Sequence, residues 1–301
     1  MASERPPAAS TGDVRTTLVA EVARGIGSTR EAGWIVDHAL AGSDDPDAVR
    51  ACARSLADRR AAGEPLQYVL GTWSFRHLEL AVDRRVLIPR PETEQVVEVA
   101  LGELARIAST RSPDGGSLVC VDLGTGSGAI ALALASEGAS TGPALEVWAT
   151  DASPDAMDVA RANAGTLAST DPVAASRVTF AQGSWFDALP DGLARRVDLV
   201  VANPPYVAEE EYADLDRSVR DWEPRSALVA PRGRGGVAGM ADIETVVAGA
   251  GAWLRRSGAL VVELAPAQAY GAIDAARRAG FARVGTARDL AGRLRMLVAE
   301  R

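Results

Sequence analysis

Asn203-Pro204-Pro205-Tyr206 is the stretch of this chain whose residue types converge on one piece of chemistry. Two consecutive prolines fix φ and remove two backbone donors, which leaves a stiff loop offering carbonyl acceptors without competing N–H groups. The Asn203 side-chain oxygen and the Pro204 carbonyl can together receive both hydrogens of a planar –NH2 group, while the Tyr206 ring stacks on its face. A nitrogen held in this way points its lone pair in one direction. Each such hydrogen bond contributes only about 0.5–1.5 kcal/mol net, so the gain comes from aligning a poor nucleophile with an electrophile. That alignment requires a second substrate close by. The plain alternative is an ordinary proline turn after a strand, and the sequence around the tetrapeptide argues against it.

The tetrapeptide follows Val197-Asp198-Leu199-Val200-Val201-Ala202, a run with the length and β-branched content of a buried parallel strand. It therefore belongs at the strand's carboxyl end, where open α/β sheets bind ligands. Upstream, Ser117 to Asp122 reads as another strand, and Asp122-Leu123-Gly124-Thr125-Gly126-Ser127-Gly128-Ala129 as a glycine turn that opens a helix. Glycines there let the backbone approach a ligand that faces the helix amino end. The same residues fit G-x-G-x-x-A, so a nicotinamide dinucleotide is an alternative occupant. The strand Leu145 to Thr150 ends at Asp151, where either cofactor class needs an acid for the hydroxyls of an adenosine ribose. A structural reading of Asp151 is that it caps the helix beginning at Ser153. A third strand, near Arg177 to Ala181, leads into Gly183-Ser184-Trp185-Phe186-Asp187, which offers Trp185 to an adenine ring and Phe186 to the core.

With 301 residues, 47% of them hydrophobic, the chain can bury a full core and divide into a large and a small domain. No apolar stretch approaches the roughly 18 residues of a membrane span, and the amino end lacks the apolar core of a signal peptide, so a cytoplasmic protein is expected. A net charge of −8 argues against a broad nucleic-acid footprint. Cys52 and Cys120 have no His or Cys at metal spacing and are expected to be buried, reduced thiols. No metal is expected.

The first dozen residues, rich in Ser, Pro and Ala, are expected to be disordered. Asp13 to Gly25, Ser28 to Ala41 and Asp47 to Ala62 carry helical spacing, with Ser28 an N-cap and Glu31 at the capping-box position. From Gly63 the text changes to a hairpin-like linker through Val82, whose His77 reads as solvated; His38 is given no role either. The expected organisation is a helical domain over 1–64, a β-hairpin linker over 65–88 and the main domain over 89–301. Pro91 opens a helix to about Ala105 with Glu92 and Glu94 at its positive end, and the preceding Arg90 is placed to pin a neighbouring loop. The Pro231-Arg232-Gly233-Arg234-Gly235-Gly236 loop is long and basic enough to meet RNA, but reads better as a solvated, mobile surface turn. A helix over Asp242 to Arg255, a strand over Ala259 to Leu264, a helix over Pro266 to Ala279, and strands over Phe281 to Ala287 and Arg293 to Ala299 complete the sheet. The last two have no helix between them and should pair antiparallel.

Strand, glycine loop, ribose acid and Asn-Pro-Pro-Tyr loop, in that order, resemble the class I S-adenosylmethionine-dependent methyltransferases that modify amide or exocyclic amino nitrogens. Gly63 through Glu94, with its Ile88-Pro89-Arg90-Pro91-Glu92-Thr93-Glu94 stretch, and Glu223-Pro224-Arg225-Ser226-Ala227-Leu228 make the chain similar to the release-factor glutamine methyltransferases. The resemblance covers nearly the whole chain. It implies an α/β, Rossmann-like fold with a mostly parallel seven-stranded sheet whose last strand is antiparallel, a linking β-hairpin, and a small N-terminal helical domain that recognises the substrate, for which a stabilising cap on the enzyme is the equal alternative. It further implies that Gly124, Thr125, Gly126, Ser127, Gly128, Asp151, Trp185 and Asn203 hold S-adenosylmethionine, and that Asn203, Pro204, Pro205 and Tyr206 hold the glutamine of the Gly-Gly-Gln loop of class I peptide-chain release factors. The products implied are N5-methylglutamine and S-adenosylhomocysteine, formed by a monomer with no stable nucleic-acid or membrane partner. The chain departs from the pattern at Ser184, where relatives carry an acid, at Glu263-Leu264-Ala265 in place of Glu-x-Gly, and in a longer Arg/Gly loop.

Other readings share the tetrapeptide. An adenine-specific nucleic-acid methyltransferase would flip its base into the same pocket, although the acidic charge and the lack of an evident target-recognition domain disfavour it. A ribosomal-protein glutamine methyltransferase, and a module that binds cofactor and translation factors without catalysis, are the remaining alternatives.

Overall fold

A computed structural model describes residues 11–112, 116–138 and 144–301, which divide into two compact units. The smaller comprises the described residues up to Gly71 with Arg217–Trp222, and the larger comprises Thr72–Asp216 with Glu223–Arg301. The expectation of disorder for the first dozen residues lies outside the described residues up to position 10.

In the smaller unit the helices are α1 (Thr11–Ile26), α2 (Thr29–Gly42), α3 (Pro46–Ala61) and α4 (Leu66–Leu70). Helix α1 thus starts two residues before Asp13, an offset within ordinary helix-end variation. Ala32, Ile35, Val36 and Ala39 form one buried stripe of α2 at three- and four-residue spacing and pack with Leu18, Val49 and Leu56. Ser28 caps α2 as expected, its Oγ accepting the Glu31 N–H at 3.2 Å. The capping box stays open, because the Glu31 carboxylate accepts Arg60 Nε of α3 at 2.6 Å. Cys52 corrects an expectation: it is exposed, since α3 turns Val49, Ala53 and Leu56 inward and leaves position 52 off that face. Cys120 is buried.

The larger unit begins with a hairpin, β1 (Thr72–Phe75) against β2 (Leu78–Ala81), and continues into α5 (Pro91–Ser109). Then follow β3 (Leu118–Leu123), α6 (Ala129–Glu137), β4 (Leu145–Asp151), α7 (Pro154–Thr170), α8 (Pro172–Ser176), β5 (Val178–Gln182) and β6 (Val197–Ala202). After the short α9 (Arg217–Arg220), which belongs to the smaller unit, come α10 (Ala241–Trp253), β7 (Leu254–Glu263), α11 (Ala269–Arg278), β8 (Arg283–Arg288) and β9 (Leu294–Glu300). The seven strands lie in the order β5-β4-β3-β6-β7-β9-β8, with β9 antiparallel to both neighbours and every other pair parallel. One sheet face packs on α5, α6, α7 and α8 through residues such as Val97, Leu104, Leu132 and Leu167, and the other on α10 and α11 through Ile243, Val247 and Ala272. Strands β3 and β6 are buried at all six positions, as central strands covered on both faces must be.

This topology positions the site. Strands β3, β4 and β5 run to one side and β6 and β7 to the other, so the direction of winding reverses between β3 and β6. Leu123 pairs with Thr150 of β4 and with Ala202 of β6, so three successive loops leave the sheet from one row. Several elements differ from expectation: α4 falls in the stretch read as a hairpin-like linker, α5 runs past Ala105 to Ser109, and two boundaries shift around β7. Strand β7 starts at Leu254, where the backbone turns extended (φ −66°, ψ 137°), and an irregularity separates the Val197–Leu254 and Leu199–Ala259 pairings. Residues Pro266–Gln268 form a 3-10 turn, and α11 begins only at Ala269.

Candidate active site

The loop after β3, the end of β4 and the loop after β6 face one cavity of about 670 Å³. Gly124, Thr125, Gly126 and Ser127 form part of its wall, as do Asp151, Trp185, Asn203 and Pro205. Gly128 stands behind this wall as the residue that starts α6. Pro204 is buried and Tyr206 half-buried, and neither lines the cavity.

Gly124 has φ +73°, and a Cβ there would sit 3.5 Å from the Trp185 ring, so the bare backbone lies directly against the indole. Trp185 itself holds φ +46°, and its carbonyl accepts the Thr150 hydroxyl at 3.5 Å. Phe186 points away into the core, 6.0 Å from Trp253 in a stacked pair. The Asp151 carboxylate accepts the Gly126 N–H and the Ser153 N–H, both at 2.9 Å, and so ties the glycine loop to the end of β4. Asp151 does not cap α7; Ser153 does, through Ala156 N–H at 3.2 Å.

Beneath the loop, Asp122 Oδ2 accepts the Thr125 hydroxyl at 2.6 Å and the Ala131 N–H at 3.1 Å, while Oδ1 is buried without a partner among the described residues. Burial pushes this carboxyl up to about 7 against the pull of those two hydrogen bonds. An aromatic wall, a bare glycine backbone and an acid at the end of β4, all lining one cavity, fit an adenosine-bearing cation.

The Asn203 end is held by residues whose roles the sequence did not disclose. Asn203 Nδ2 donates to Thr93 Oγ1 at 3.3 Å, and the Thr93 hydroxyl donates to Glu263 Oε2 at 2.7 Å. The Tyr206 hydroxyl points at Glu263 Oε1 at 3.4 Å. Burial raises the Glu263 carboxyl to about 7, with the Thr93 hydroxyl, Arg295 and the Tyr206 hydroxyl opposing the rise and Glu92 adding to it. Burial also raises the Tyr206 phenol, helped by the Glu263 charge. Behind the loop, Gln268 Nε2 reaches the carbonyls of Tyr206, Ala238 and Gly239 at 2.8, 3.2 and 3.1 Å. The sequence signal for Glu263 was an acid at the end of an apolar strand adjoining β6, and for Thr93 a hydroxyl among otherwise exposed-looking charges.

Arg90 acts as its position suggested. Its Nη2 donates to Glu223 Oε1 at 2.5 Å, and the Ile88 N–H donates to Glu223 Oε2 at 3.1 Å. Glu223 is 5% exposed, and burial raises its carboxyl while Arg90 pulls it back. The pair anchors the segment that brings Pro224, Ser226 and Ala227 to the cavity wall. His77, by contrast, sits at the hairpin turn beside Ser136 and Glu137, and His38 is exposed on α2. Arg232 and Arg234 are in exposed contacts with Glu210, Gly236 and Glu244.

A family model described as "Methyltransferase domain" matches residues 115–230. The release factor glutamine methyltransferase of Burkholderia pseudomallei is 42% identical over 263 residues, covering 86% of this chain and 84% of the relative. Those of Bordetella pertussis and Vibrio cholerae are each 40% identical, covering 87% and 81% of this chain and 87% and 76% of their own lengths. The sheet order, with its antiparallel β9, and the cavity at its switch point define a class I S-adenosylmethionine-dependent methyltransferase, which sets the nicotinamide reading aside. Within that class, the chain belongs to the release factor glutamine methyltransferases.

Proposed function

We propose that this chain methylates the side-chain amide nitrogen of the glutamine in the Gly-Gly-Gln loop of class I peptide-chain release factors, with Asn203-Pro204-Pro205-Tyr206 as the amide-holding loop. The observation that carries the assignment of residues is that Asn203 and Pro205 share one cavity with the Gly124–Ser127 loop, Asp151 and Trp185. When bound, S-adenosylmethionine supplies an electrophilic methyl carbon on a sulfonium. Gly124 to Gly128 and Asp151 would hold its ribose and amino-acid end, Trp185 would meet its adenine, and Asn203 would stand at the methyl end.

Asn203, which lines the cavity, accepts one amide hydrogen through Oδ1, and the carbonyl of the buried Pro204 behind it is read as the acceptor of the second, which turns the nitrogen lone pair toward the methyl carbon. Pro204 and Pro205 keep that loop from relaxing. Transfer of the methyl carbon to that nitrogen, with cleavage of the carbon–sulfur bond, would give S-adenosylhomocysteine and an N-protonated amide. Such an amide is a strong acid and gives its proton to solvent, so no positioned base is required. Residues 1–64 and the segment 65–88, which carries the β1–β2 hairpin, are read as the grip on the release factor, with the chain acting as a cytoplasmic monomer. Among the described residues no helix is long and apolar enough to cross a membrane.

The test is mass spectrometry of a purified class I release factor, and of an adenine-containing DNA duplex, after incubation with the chain and S-adenosylmethionine. One added methyl group on the glutamine of the Gly-Gly-Gln peptide is expected. An unmodified peptide beside methylated adenine would overturn the assignment.

A further inference from the structure

The orientation of the Asn203 amide is chemically decisive, because a flipped amide would present hydrogens instead of an acceptor to the substrate nitrogen. Its own surroundings decide it. Thr93 Oγ1 lies 3.3 Å from Asn203 Nδ2 and 2.7 Å from Glu263 Oε2. A hydroxyl has a single hydrogen. With that hydrogen committed to the carboxylate, the hydroxyl faces Asn203 as an acceptor and takes the Nδ2 hydrogen. Oδ1 is then left without a protein partner among the described residues, on the residue that lines the cavity.

We propose that Thr93 and Glu263 form a one-way hydrogen-bond chain, Asn203 to Thr93 to Glu263, which sets the acceptor face of the Asn203 amide toward the substrate nitrogen; Thr93 and Glu263 are positioning residues for methyl transfer. This rests on the reading that Asn203 holds the glutamine amide. The three members come from different elements: Thr93 from the first turn of α5, Asn203 from the loop after β6, and Glu263 from the end of β7. Thr93 reaches the cavity wall but is only 4% exposed, and Glu263 is 1% exposed, so little solvent competes for the hydroxyl.

The carboxylate is itself fixed. The Tyr206 hydroxyl faces Oε1; burial raises Glu263 to about 7, Thr93, Arg295 of β9 and Tyr206 pull it back toward its ionised form, and Glu92, one residue before Thr93, is the like charge opposing them, so the carboxylate that the chain requires prevails above about pH 7. Arg90 adds positive charge on the Tyr206 side, and Asp289 lies 3.7 Å from Arg295 Nε. If Glu263 took up a proton on Oε2 it would donate to Thr93, the hydroxyl hydrogen would turn to Asn203, and the amide would present its NH2 to the cavity. The chain therefore transmits the charge state of a residue outside the cavity wall to the group that holds the nucleophile.

The test compares kcat toward release factor, and the Kd for S-adenosylhomocysteine, in the wild type, Thr93→Ser and Thr93→Val. Thr93→Ser keeps the hydroxyl and is expected to retain kcat within about threefold. Thr93→Val is expected to lose about 10- to 100-fold in kcat, the loss of an oriented hydrogen bond to a charge-paired group, with Kd changed by less than about twofold. Should Thr93→Val not fold, Thr93→Ala replaces it and is read in the same way. A hydroxyl-free variant with wild-type kcat, or Thr93→Ser as impaired as the hydroxyl-free variant, would overturn the proposal. Asn203→Ala run in parallel separates the two levels. If it too turns over normally, the reading of Asn203 fails. If it is inactive while Thr93→Val is fully active, only the hydrogen-bond chain fails.

Discussion

Asn203, Thr93 and Glu263 show how single residues acquire roles from their neighbours. Asn203 was readable in the sequence because a polar residue between an apolar strand and two prolines has few structural reasons to be there. Thr93 was not, because the acids around it already explained a helix start and hid the one hydroxyl that turns inward. Glu263 was read as a departure from a pattern and not as an anchor, since an acid's partners depend on strands that meet only in the fold. Its burial makes a thermodynamic prediction. A carboxyl raised to about 7 in the folded chain, against an ordinary value near 4.3, leaves the native state holding a proton that the unfolded state has lost. The stability this contributes is complete below about pH 4 and is lost as pH rises through about 7. Denaturant unfolding between pH 5 and pH 7 is therefore expected to show the wild type losing stability relative to Glu263→Gln as pH rises, on the order of 1 kcal/mol per pH unit. Parallel pH dependences of the two proteins would contradict it.

The elements bring those residues together by register. Leu123 opposite both Thr150 and Ala202 puts three loops on one edge, and the alternation of apolar strands with helical segments announced that arrangement from the text alone. The antiparallel pairing of β8 with β9 followed from the absence of an intervening helix, and it is observed. The early start of β7 was hidden, because Leu254 continues the helical spacing of α10 until its backbone extends and pairs with Val197. What holds the loop after β6 was equally hidden. Gly239 (φ +64°) passes so close that a Cβ would stand 2.1 Å from the Tyr206 carbonyl oxygen and 2.7 Å from Gln268 Nε2. Gly239→Ala is accordingly expected to lose about 1–3 kcal/mol of stability and to lower kcat as the Gln268 clamp on Tyr206 opens. Gly235, at φ +80° with open space around it, provides the comparison for backbone strain alone. Thermal melts and turnover for the two alanine variants check this. Equal effects would show that the close approach to Tyr206 carries no cost of its own.

At the scale of the whole molecule, the family was readable because its motifs are spread from Gly63 to the loop near Glu223, with all but the Gly63–Gly71 piece on the larger unit. The helical unit offered only helical spacing to the reader, and its proposed grip on the release factor draws on what a small helical module beside a methyltransferase unit can do. The central claim concerns neither unit as a whole; it is that the loop after β6 holds the nucleophile while the loops after β3 and β4 hold the cofactor. Measuring kcat toward release factor and Kd for S-adenosylhomocysteine on Asn203→Ala tests it most directly. The account predicts that kcat falls by about 100- to 1,000-fold, the scale of losing an oriented polar contact to the reacting group, while Kd moves by less than about tenfold. Turnover at the wild-type rate, or a loss of cofactor affinity as large as the loss of turnover, would contradict it.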